Sequence, residues 1–213
     1  MLFAFEGPDE VGKTSLASAL VERLRYGGFA AEYVALPGHV VGTLGHHVYE
    51  LHHNPADFGV HQLDPVSTQL LHVASHIDQL NRAVVPALER GEAVVLDRYW
   101  WSAPVYAAAF RVPPHVVDAL AALERAVWRD VVADIVFLVR RALPLTSAVA
   151  LDTFLRLRQL YDDFATQDHR EPVVAIDNEG DFASALATVE RAVRDVLQPS
   201  APGGRFAEPS GAS

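Results

Sequence analysis

The stretch Gly7-Pro8-Asp9-Glu10-Val11-Gly12-Lys13-Thr14 constrains this chain most, because it matches the pattern G-x-x-x-x-G-K-[ST]. An apolar run at residues 1–5 precedes it and an amphipathic segment at residues 15–24 follows it, which is the strand, loop and helix order of a phosphate-binding loop. In such a loop, successive backbone N–H groups and the positive end of the helix bind phosphate oxygens. The pattern therefore predicts a nucleotide-binding site; the alternative is a chance match in a glycine-containing turn.

Two side chains of this loop carry the predicted chemistry. Lys13 supplies a positive charge to the β- and γ-phosphates of a nucleotide, and the Thr14 hydroxyl supplies an oxygen ligand for Mg²⁺. Lys13 is the only lysine in a chain whose other basic side chains are all arginines. We therefore expect ATP and Mg²⁺ to bind here. The predicted cofactor-binding residues are Gly7, Pro8, Asp9, Glu10, Val11, Gly12, Lys13, Thr14 and Ser15.

The composition excludes several classes of protein. A formal net charge of −10 argues against a protein that coats nucleic acid, because that binding needs basic side chains to neutralise phosphates. The chain has no cysteine, which excludes disulfides and thiolate zinc sites and is compatible with the cytoplasm, where we expect the protein to act. No apolar run reaches the roughly 20 residues of a membrane span, so we do not expect a membrane as a partner. Because of the negative net charge, we do not expect nucleic acid as a partner either.

The length of 213 residues predicts one domain, which we place at residues 1–198. Residues 199–213 are rich in Pro, Gly, Ser and Ala, and we predict a disordered tail there. Four further apolar runs alternate with helical patterns and are predicted strands: residues 30–36, 93–96, 135–139 and 173–176. This alternation predicts an α/β protein with the P-loop NTPase fold, a doubly wound sheet of about five parallel strands flanked by helices.

Apolar residues at helical spacing predict the helices. The longest begins at a cap, Asp64 or Ser67, and runs to about Arg90 with a kink or break at Pro86. Its predicted inward-facing residues are Leu70, Leu71, Ala74, Ile77 and Leu80. The other predicted helices cover residues 15–24, 42–52, 103–110, 114–129, 146–164 and 181–197.

Asp97 and Arg98 follow a predicted buried strand, at the edge of the sheet where open α/β sheets bind ligands. A phosphate loop needs a carboxylate at the end of a neighbouring strand to hold Mg²⁺, and Asp97 is that candidate, unless it only caps the next helix. The guanidinium of Arg98 can bind two phosphate oxygens at once, or it can form a surface salt bridge.

Several further blocks accompany these residues in a fixed order. Phe5-Glu6-Gly7-Pro8-Asp9 precedes Gly12-Lys13-Thr14; Val85-Pro86-Ala87-Leu88-Glu89-Arg90-Gly91 precedes Asp97-Arg98-Tyr99; and Ser102, Tyr106, Phe154, Arg158 and Tyr161 follow. Together these blocks resemble the thymidylate kinases, a family within the nucleoside monophosphate kinases. The similarity spans roughly residues 1–197.

This resemblance implies an ATP- and Mg²⁺-dependent enzyme that transfers the γ-phosphoryl group to a nucleoside monophosphate or a similar acceptor. Asp9 falls at the position of an acidic residue that faces the acceptor phosphate in the family. The resemblance implies catalytic roles for Lys13, Asp9 and Arg98, with Arg140 and Arg141 in place of lid arginines. It also implies a homodimer formed through helices beside the sheet.

The acceptor side departs from the family pattern. His72 and His76, one helical turn apart, replace the ring that stacks on the base and the arginine that reads it, or they are polar residues of a partly exposed helix. The family has an arginine after the second strand, which this chain lacks, and His39 is the polar residue nearest to that position. Tyr106 is followed by alanine, where the family commonly has glutamine. Trp101 either walls the acceptor pocket or packs in the core. The predicted substrate residues are His39, His72, His76, Trp101 and Tyr106.

The arginine-bearing lid of the family is nearly missing. Arg140 and Arg141 are the only cations in the dozen or so residues from Val139 to Leu151, and they either replace the lid arginines or form a solvated pair. Because a short lid excludes water poorly, it favours hydrolysis over transfer. Three functions therefore stay open: a nucleotide kinase; a nucleotide-binding protein or weak ATPase that acts as a switch or partner subunit; and a kinase for a non-nucleotide acceptor.

Overall fold

The computed structural model describes residues 1–197. The predicted tail, residues 199–213, and the last residue of the predicted domain lie outside this range. The strands are β1 (Leu2–Glu6), β2 (Ala31–Ala35), β3 (Ala93–Asp97), β4 (Ile135–Arg140) and β5 (Val173–Asp177). The helices are α1 (Lys13–Tyr26), α2 (Leu44–His53), α3 (Pro65–Gln79), α4 (Val85–Glu89), α5 (Ser102–Ala109), α6 (Pro114–Val127), α7 (Leu151–Ala165) and α8 (Phe182–Leu197).

The five strands form one parallel sheet in the order β2-β3-β1-β4-β5, which confirms the predicted α/β fold. Helices cover both faces of the sheet, so every residue of the central strands β1 and β3 is buried. Phe3 and Phe5 face α1 and α8, whereas Leu2 and Ala4 face a second cluster that includes residues of α5 and α7. A third, smaller cluster joins α3 to α5 and α6.

The predicted long helix is divided into two by a π-helical turn. The Asp64 side chain caps α3 by accepting a hydrogen bond from the backbone N–H of Ser67 at 3.0 Å. The helix ends at Gln79, the π-helical turn covers Leu80–Val84, and α4 follows. Pro86 explains the interruption, because it has no N–H to donate and its ring clashes with the carbonyl of the preceding turn.

The predicted inward face of the long helix was wrong only in part, because Leu80 is buried and Ile77 packs, partly buried, against the cluster shared with α5 and α6. Leu70 is 49% exposed and Ala74 is also exposed, whereas Gln69, Ser75 and His76 are buried. The apolar pattern predicted these positions wrongly because α3 turns polar side chains toward a cavity and toward α6. Sequence periodicity does not encode contacts of this kind.

The helix after β4 begins five residues later than predicted, at Leu151 instead of residue 146. Residues 141–150 have no regular secondary structure. A backbone group of this segment forms a hydrogen bond with the phosphate loop. The N–H of Leu145 donates to the carbonyl of Glu10 at 2.9 Å, which ties this short connection to the phosphate loop. Within residues 1–197, no helix combines the length and apolar character needed to cross a membrane.

Candidate active site

The loop between β1 and α1 has a backbone that only glycine allows at two positions. Gly7 and Gly12 have φ values of 138° and 91°. A Cβ atom on Gly7 would lie 2.5 Å from the carbonyl oxygen of Val139, and one on Gly12 would lie 2.5 Å from the side-chain amide nitrogen of Asn178. The loop is therefore packed against the end of β4 and the residue after β5, and α1 begins directly behind it at Lys13.

Lys13 is only 5% exposed, and its ammonium group donates to the carbonyl of Pro8 at 2.5 Å. Burial and the nearby Arg98 charge lower the pKa of Lys13 to about 8, against the opposing attraction of Asp9, Asp97 and Glu6. Among the described residues 1–197, no carboxylate lies within salt-bridge distance of this cation. An anion such as a phosphate group would compensate this charge.

Thr14 and Asp97 form the candidate metal site. The hydroxyl of Thr14 donates to Asp97 Oδ2 at 2.5 Å, and the hydroxyl of Tyr33 on β2 donates to the same oxygen at 2.9 Å. This pair of hard oxygen donors beside the loop fits Mg²⁺, which usually takes one or two protein oxygens together with phosphate oxygens and water. Tyr33 was not predicted, because its contact depends on the pairing of β2 with β3.

Arg98 faces the loop across the cleft at the end of β3, with a φ of 76° that is uncommon for a residue with a side chain. Its guanidinium forms an ion pair with Asp9 and donates to the hydroxyls of Tyr106 and Ser102, both at 3.1 Å. Tyr106 in turn donates to Asp9 at 2.7 Å. Burial opposes ionisation of Asp9, but Arg98, Lys13 and Tyr106 hold its pKa well below the usual range.

Glu6 stabilises the segment that follows Arg98, a role that was not predicted from the sequence. Its buried carboxylate accepts hydrogen bonds from the backbone N–H groups of Tyr99 and Ser102, at 2.8 and 3.1 Å, and from the Ser102 hydroxyl at 2.9 Å. Burial raises the pKa of Glu6, while Arg98 and these hydrogen bonds oppose the rise. The sequence signal that could have identified Glu6 is a charged residue at the end of an apolar strand.

A cavity of about 410 Å³ connects these groups with α2 and α3. The phosphate loop, Asp97, Arg98 and Tyr106 line one end of it. The far wall consists of polar and aromatic side chains: His39, Tyr49, His52, His53, Gln69, His72 and His76. The structure thus brings together the predicted loop, Asp97, Arg98, Tyr106 and the three predicted substrate histidines around one cavity.

The far wall is held by hydrogen bonds between side chains distant in sequence. His52 Nδ1 and His72 Nε2 lie 3.0 Å apart, and burial together with the neighbouring histidines lowers the pKa of His72 to about 3. His76 Nδ1 lies 2.7 Å from Glu124 Oε1, and both side chains are almost fully buried. His39 packs edge-on against Tyr49, with ring centroids 4.5 Å apart.

Trp101 is corrected from a predicted wall of the acceptor pocket to a core residue. Its side chain is fully buried, stacks on His169 with ring centroids 4.4 Å apart, and does not line the cavity. Trp100 and Phe164 pack edge-on against it. Within residues 1–197, the buried indole N–H of Trp101 has no hydrogen-bond partner, so its burial rests on packing against these aromatic rings.

The two arginines at the end of β4 form contacts away from the cavity. Arg140 donates to Asp162 on α7 at 2.7 Å, and Arg141 donates to the backbone carbonyls of Asn178 and Leu143. Neither arginine lines the cavity, so their substitution for lid arginines stays a prediction. Arg158, also on α7, donates to the carbonyl of Ala142 at 3.0 Å.

Comparisons with known proteins agree on one family. A family profile for thymidylate kinase matches residues 5–140, which is more than half of the chain. The thymidylate kinase of Deinococcus radiodurans is 38% identical over 112 residues, which cover 52% of this chain and 51% of that protein. The thymidylate kinase of a Synechococcus strain is 36% identical over 109 residues, which cover 50% and 48%. The chain thus spans about half the length of these relatives.

A solved structure extends the likeness of the fold to nearly the whole chain. The thymidylate kinase from Ehrlichia chaffeensis superposes with a TM-score of 0.70 over 93% of this chain and 98% of that one. At 24% identity, this likeness shows the shared fold and nothing finer.

Proposed function

This chain belongs to the thymidylate kinase family, and from that premise we propose that it transfers the γ-phosphoryl group of ATP to thymidine monophosphate or a closely related nucleoside monophosphate. One observation carries the proposal. The phosphate loop and the Asp9–Arg98–Tyr106 group lie at the same end of one cavity, so two anionic ligands can meet there. A protein that only bound a nucleotide would need the loop without the second group.

The proposed roles follow from charge and position. Lys13 and the loop N–H groups bind the β- and γ-phosphates of ATP, and Arg98 binds the acceptor phosphate opposite them. Phosphoryl transfer needs mainly alignment of the two oxygens and positive charge around the migrating group. Asp9 and Tyr106 keep the Arg98 side chain in place, and Glu6 fixes the backbone that carries it.

Thr14 and Asp97 are the residues that would hold Mg²⁺. When bound, Mg²⁺ screens the negative charge of the β- and γ-phosphates. Tyr33 orients the Asp97 carboxylate by donating to the same oxygen that Thr14 contacts. The association of two copies of the chain, implied by the family resemblance, stays a prediction.

A second candidate, a nucleotide-binding protein or weak ATPase without efficient transfer, rests on the short connection after β4. Arg140 and Arg141 are held by Asp162 and by backbone carbonyls, so they do not contribute positive charge at the cavity. Such a protein would hydrolyse ATP at a rate that acceptors do not change.

An acceptor panel separates the two candidates. With ATP and Mg²⁺ present, we expect thymidine monophosphate to stimulate ADP release at least about tenfold over the acceptor-free rate, because the aligned acceptor oxygen outcompetes water. A coupled assay measures ADP, and chromatography identifies thymidine diphosphate as the second product. ADP release that no nucleoside monophosphate stimulates contradicts the proposed kinase and supports the second candidate.

The lowered pKa of Lys13 predicts a pH dependence of ATP binding. Since the ammonium form binds phosphate, affinity should be constant below pH 8 and fall above it, by up to about tenfold per pH unit, as the free protein loses that proton. Titration calorimetry between pH 7 and 9.5 measures this dependence. Lys13→Arg is the matched control, because its guanidinium stays charged throughout. A wild-type affinity that does not change up to pH 9.5 contradicts the assignment.

A further inference from the structure

We propose that Asn178, the residue after β5, is a positioning residue that fixes the backbone N–H groups of the phosphate loop in the orientation that binds phosphate. This inference rests on the proposed function for the presence of an ATP phosphate site in the loop. It adds the groups that prepare that site before a ligand binds. Asn178 was assigned no role from the sequence.

Two groups from distant parts of the chain bind successive carbonyls of the loop. The side-chain N–H of Asn178 donates to the carbonyl of Val11 at 2.7 Å, and the backbone N–H of Leu145 donates to the carbonyl of Glu10 at 2.9 Å. Asn178 is 6% exposed and Val11 is fully buried, so water has little access to their hydrogen bond. A Cβ atom on Gly12 would lie 2.5 Å from the same amide nitrogen, so the glycine leaves the space that this anchor occupies.

These two anchors set the direction of two backbone N–H groups. The peptide bonds of the loop are trans, so the C=O and the N–H of each peptide unit point in opposite directions. The N–H of Val11 therefore points away from Leu145, and the N–H of Gly12 points away from Asn178. No backbone carbonyl within residues 1–197 accepts from either N–H group, which leaves both available to phosphate oxygens.

Arg141 joins the two anchors to each other. Its guanidinium donates to the backbone carbonyl of Asn178 and, at 3.2 Å, to that of Leu143, two residues before Leu145. The backbone N–H of Asn178 donates to the carbonyl of Arg140 at 3.0 Å. The short connection after β4 and the residue after β5 therefore hold the loop as one unit. This role of Arg141 needs no contact with the nucleotide.

An anchored loop should bind phosphate more tightly than a mobile loop. A loop that becomes ordered only on binding loses conformational entropy at that step, which weakens the complex. N–H groups that are fixed in advance avoid this loss without adding a contact to the ligand. Removal of an anchor should therefore weaken every ligand with phosphates in the loop by the same factor, whatever base the ligand carries.

Asn178→Ala removes one anchor. We expect the dissociation constants of ADP and of inorganic tripolyphosphate to rise together, by about tenfold. Tripolyphosphate has neither base nor sugar, so it reports on the loop alone. Asn178→Asp keeps the shape of the side chain, but its carboxylate cannot donate to the carbonyl of Val11, so both constants should rise at least as far. Titration calorimetry measures them without an acceptor nucleotide.

Two further variants separate the anchors from general stability. Val189→Ala removes buried atoms of α8 that pack in the cluster around Phe3 and Phe5. It should lower the melting temperature and keep both dissociation constants within about twofold of the wild type. Arg141→Ala disconnects the anchors from each other while the buried amide of Asn178 stays in place. It should raise both constants equally, by about threefold.

Relaxation of backbone ¹⁵N nuclei tests the mechanism without any ligand. In the free wild-type protein, the N–H groups of Val11 and Gly12 should have order parameters of about 0.85, as in rigid backbone. Asn178→Ala should lower the Gly12 value toward the roughly 0.6 of flexible segments. Val189→Ala should leave both values unchanged, because a purely structural loss of packing does not release the loop.

The outcomes separate this inference from the proposed kinase. Equal losses for ADP and tripolyphosphate, with no acceptor-stimulated turnover in the wild type, support the inference and contradict the kinase. Wild-type turnover with unchanged constants in Asn178→Ala overturns the inference and leaves the kinase intact. A loss for ADP alone also overturns it, because Asn178 then contacts the base or the sugar. So does an equal loss in Val189→Ala, a rigid Gly12 N–H in Asn178→Ala, or a wild-type protein that does not bind tripolyphosphate.

Discussion

Lys13→Ala is expected to lower ATP turnover by at least about a thousandfold without unfolding the protein. The ammonium group is the only lysine charge in the chain and is buried beside the phosphate loop, where a positive charge acts in a poorly solvated environment. Steady-state kinetics measures the loss, and titration calorimetry measures the accompanying loss of ATP affinity.

The stability of Lys13→Ala provides its internal control. Burial lowers the pKa of Lys13, so the charged form is disfavoured in the folded state and its cost is fully present below pH 8. Removing the charge at pH 7 should therefore leave the melting temperature unchanged or raise it. Wild-type ATP affinity in this variant would contradict the site assignment, whereas a lowered melting temperature would contradict the account of its burial.

Arg98→Ala is expected to reduce kcat/KM for the acceptor by about a hundredfold to a thousandfold, because a charged donor to the acceptor phosphate is lost. The substitution also removes the ion-pair partner of Asp9 and a hydrogen-bond partner of Tyr106, so the melting temperature should fall. Kinetics with varied acceptor and with varied ATP separates the two substrates, and the larger effect should be on the acceptor.

Two further variants isolate the role of the guanidinium. Arg98→Lys keeps the charge but loses the two-pronged geometry, so it should be intermediate. Arg82→Ala removes a guanidinium that is paired with Asp78 on the surface, and it should change neither kinetics nor stability appreciably. Equal activity of Arg98→Ala and Arg82→Ala would remove Arg98 from the proposed mechanism.

The parts of the fold that short-range patterns encode were predictable. Apolar runs of strand length located all five strands, and the glycine pattern located the phosphate loop, because both signals depend on neighbouring residues. The start of α7 was wrong, because the Leu145 backbone binds Glu10, more than a hundred residues away in sequence. Helical periodicity alone carries no information on such a contact.

The candidate site was predictable from the loop side and much less so from the acceptor side. The arrangement of Asp9, Arg98 and Tyr106 follows from residues at the ends of β1 and β3, which lie side by side in the sheet. The hydrogen bond between His76 and Glu124 joins two helices 48 positions apart, and neither residue has a local pattern that signals it. The prediction for Trp101 failed for the same reason, since its partners Phe164 and His169 come from α7 and the segment that follows it.

The separate apolar clusters on the two sides of the sheet make the halves of the site independently alterable. The helix behind the phosphate loop rests on the cluster around Phe3 and Phe5, whereas α3, which carries His72 and His76, rests on the small cluster that it shares with α5 and α6. Under the proposed function, we therefore expect substitutions at positions 69, 72 and 76 to change the choice of acceptor more than they change the binding of ATP.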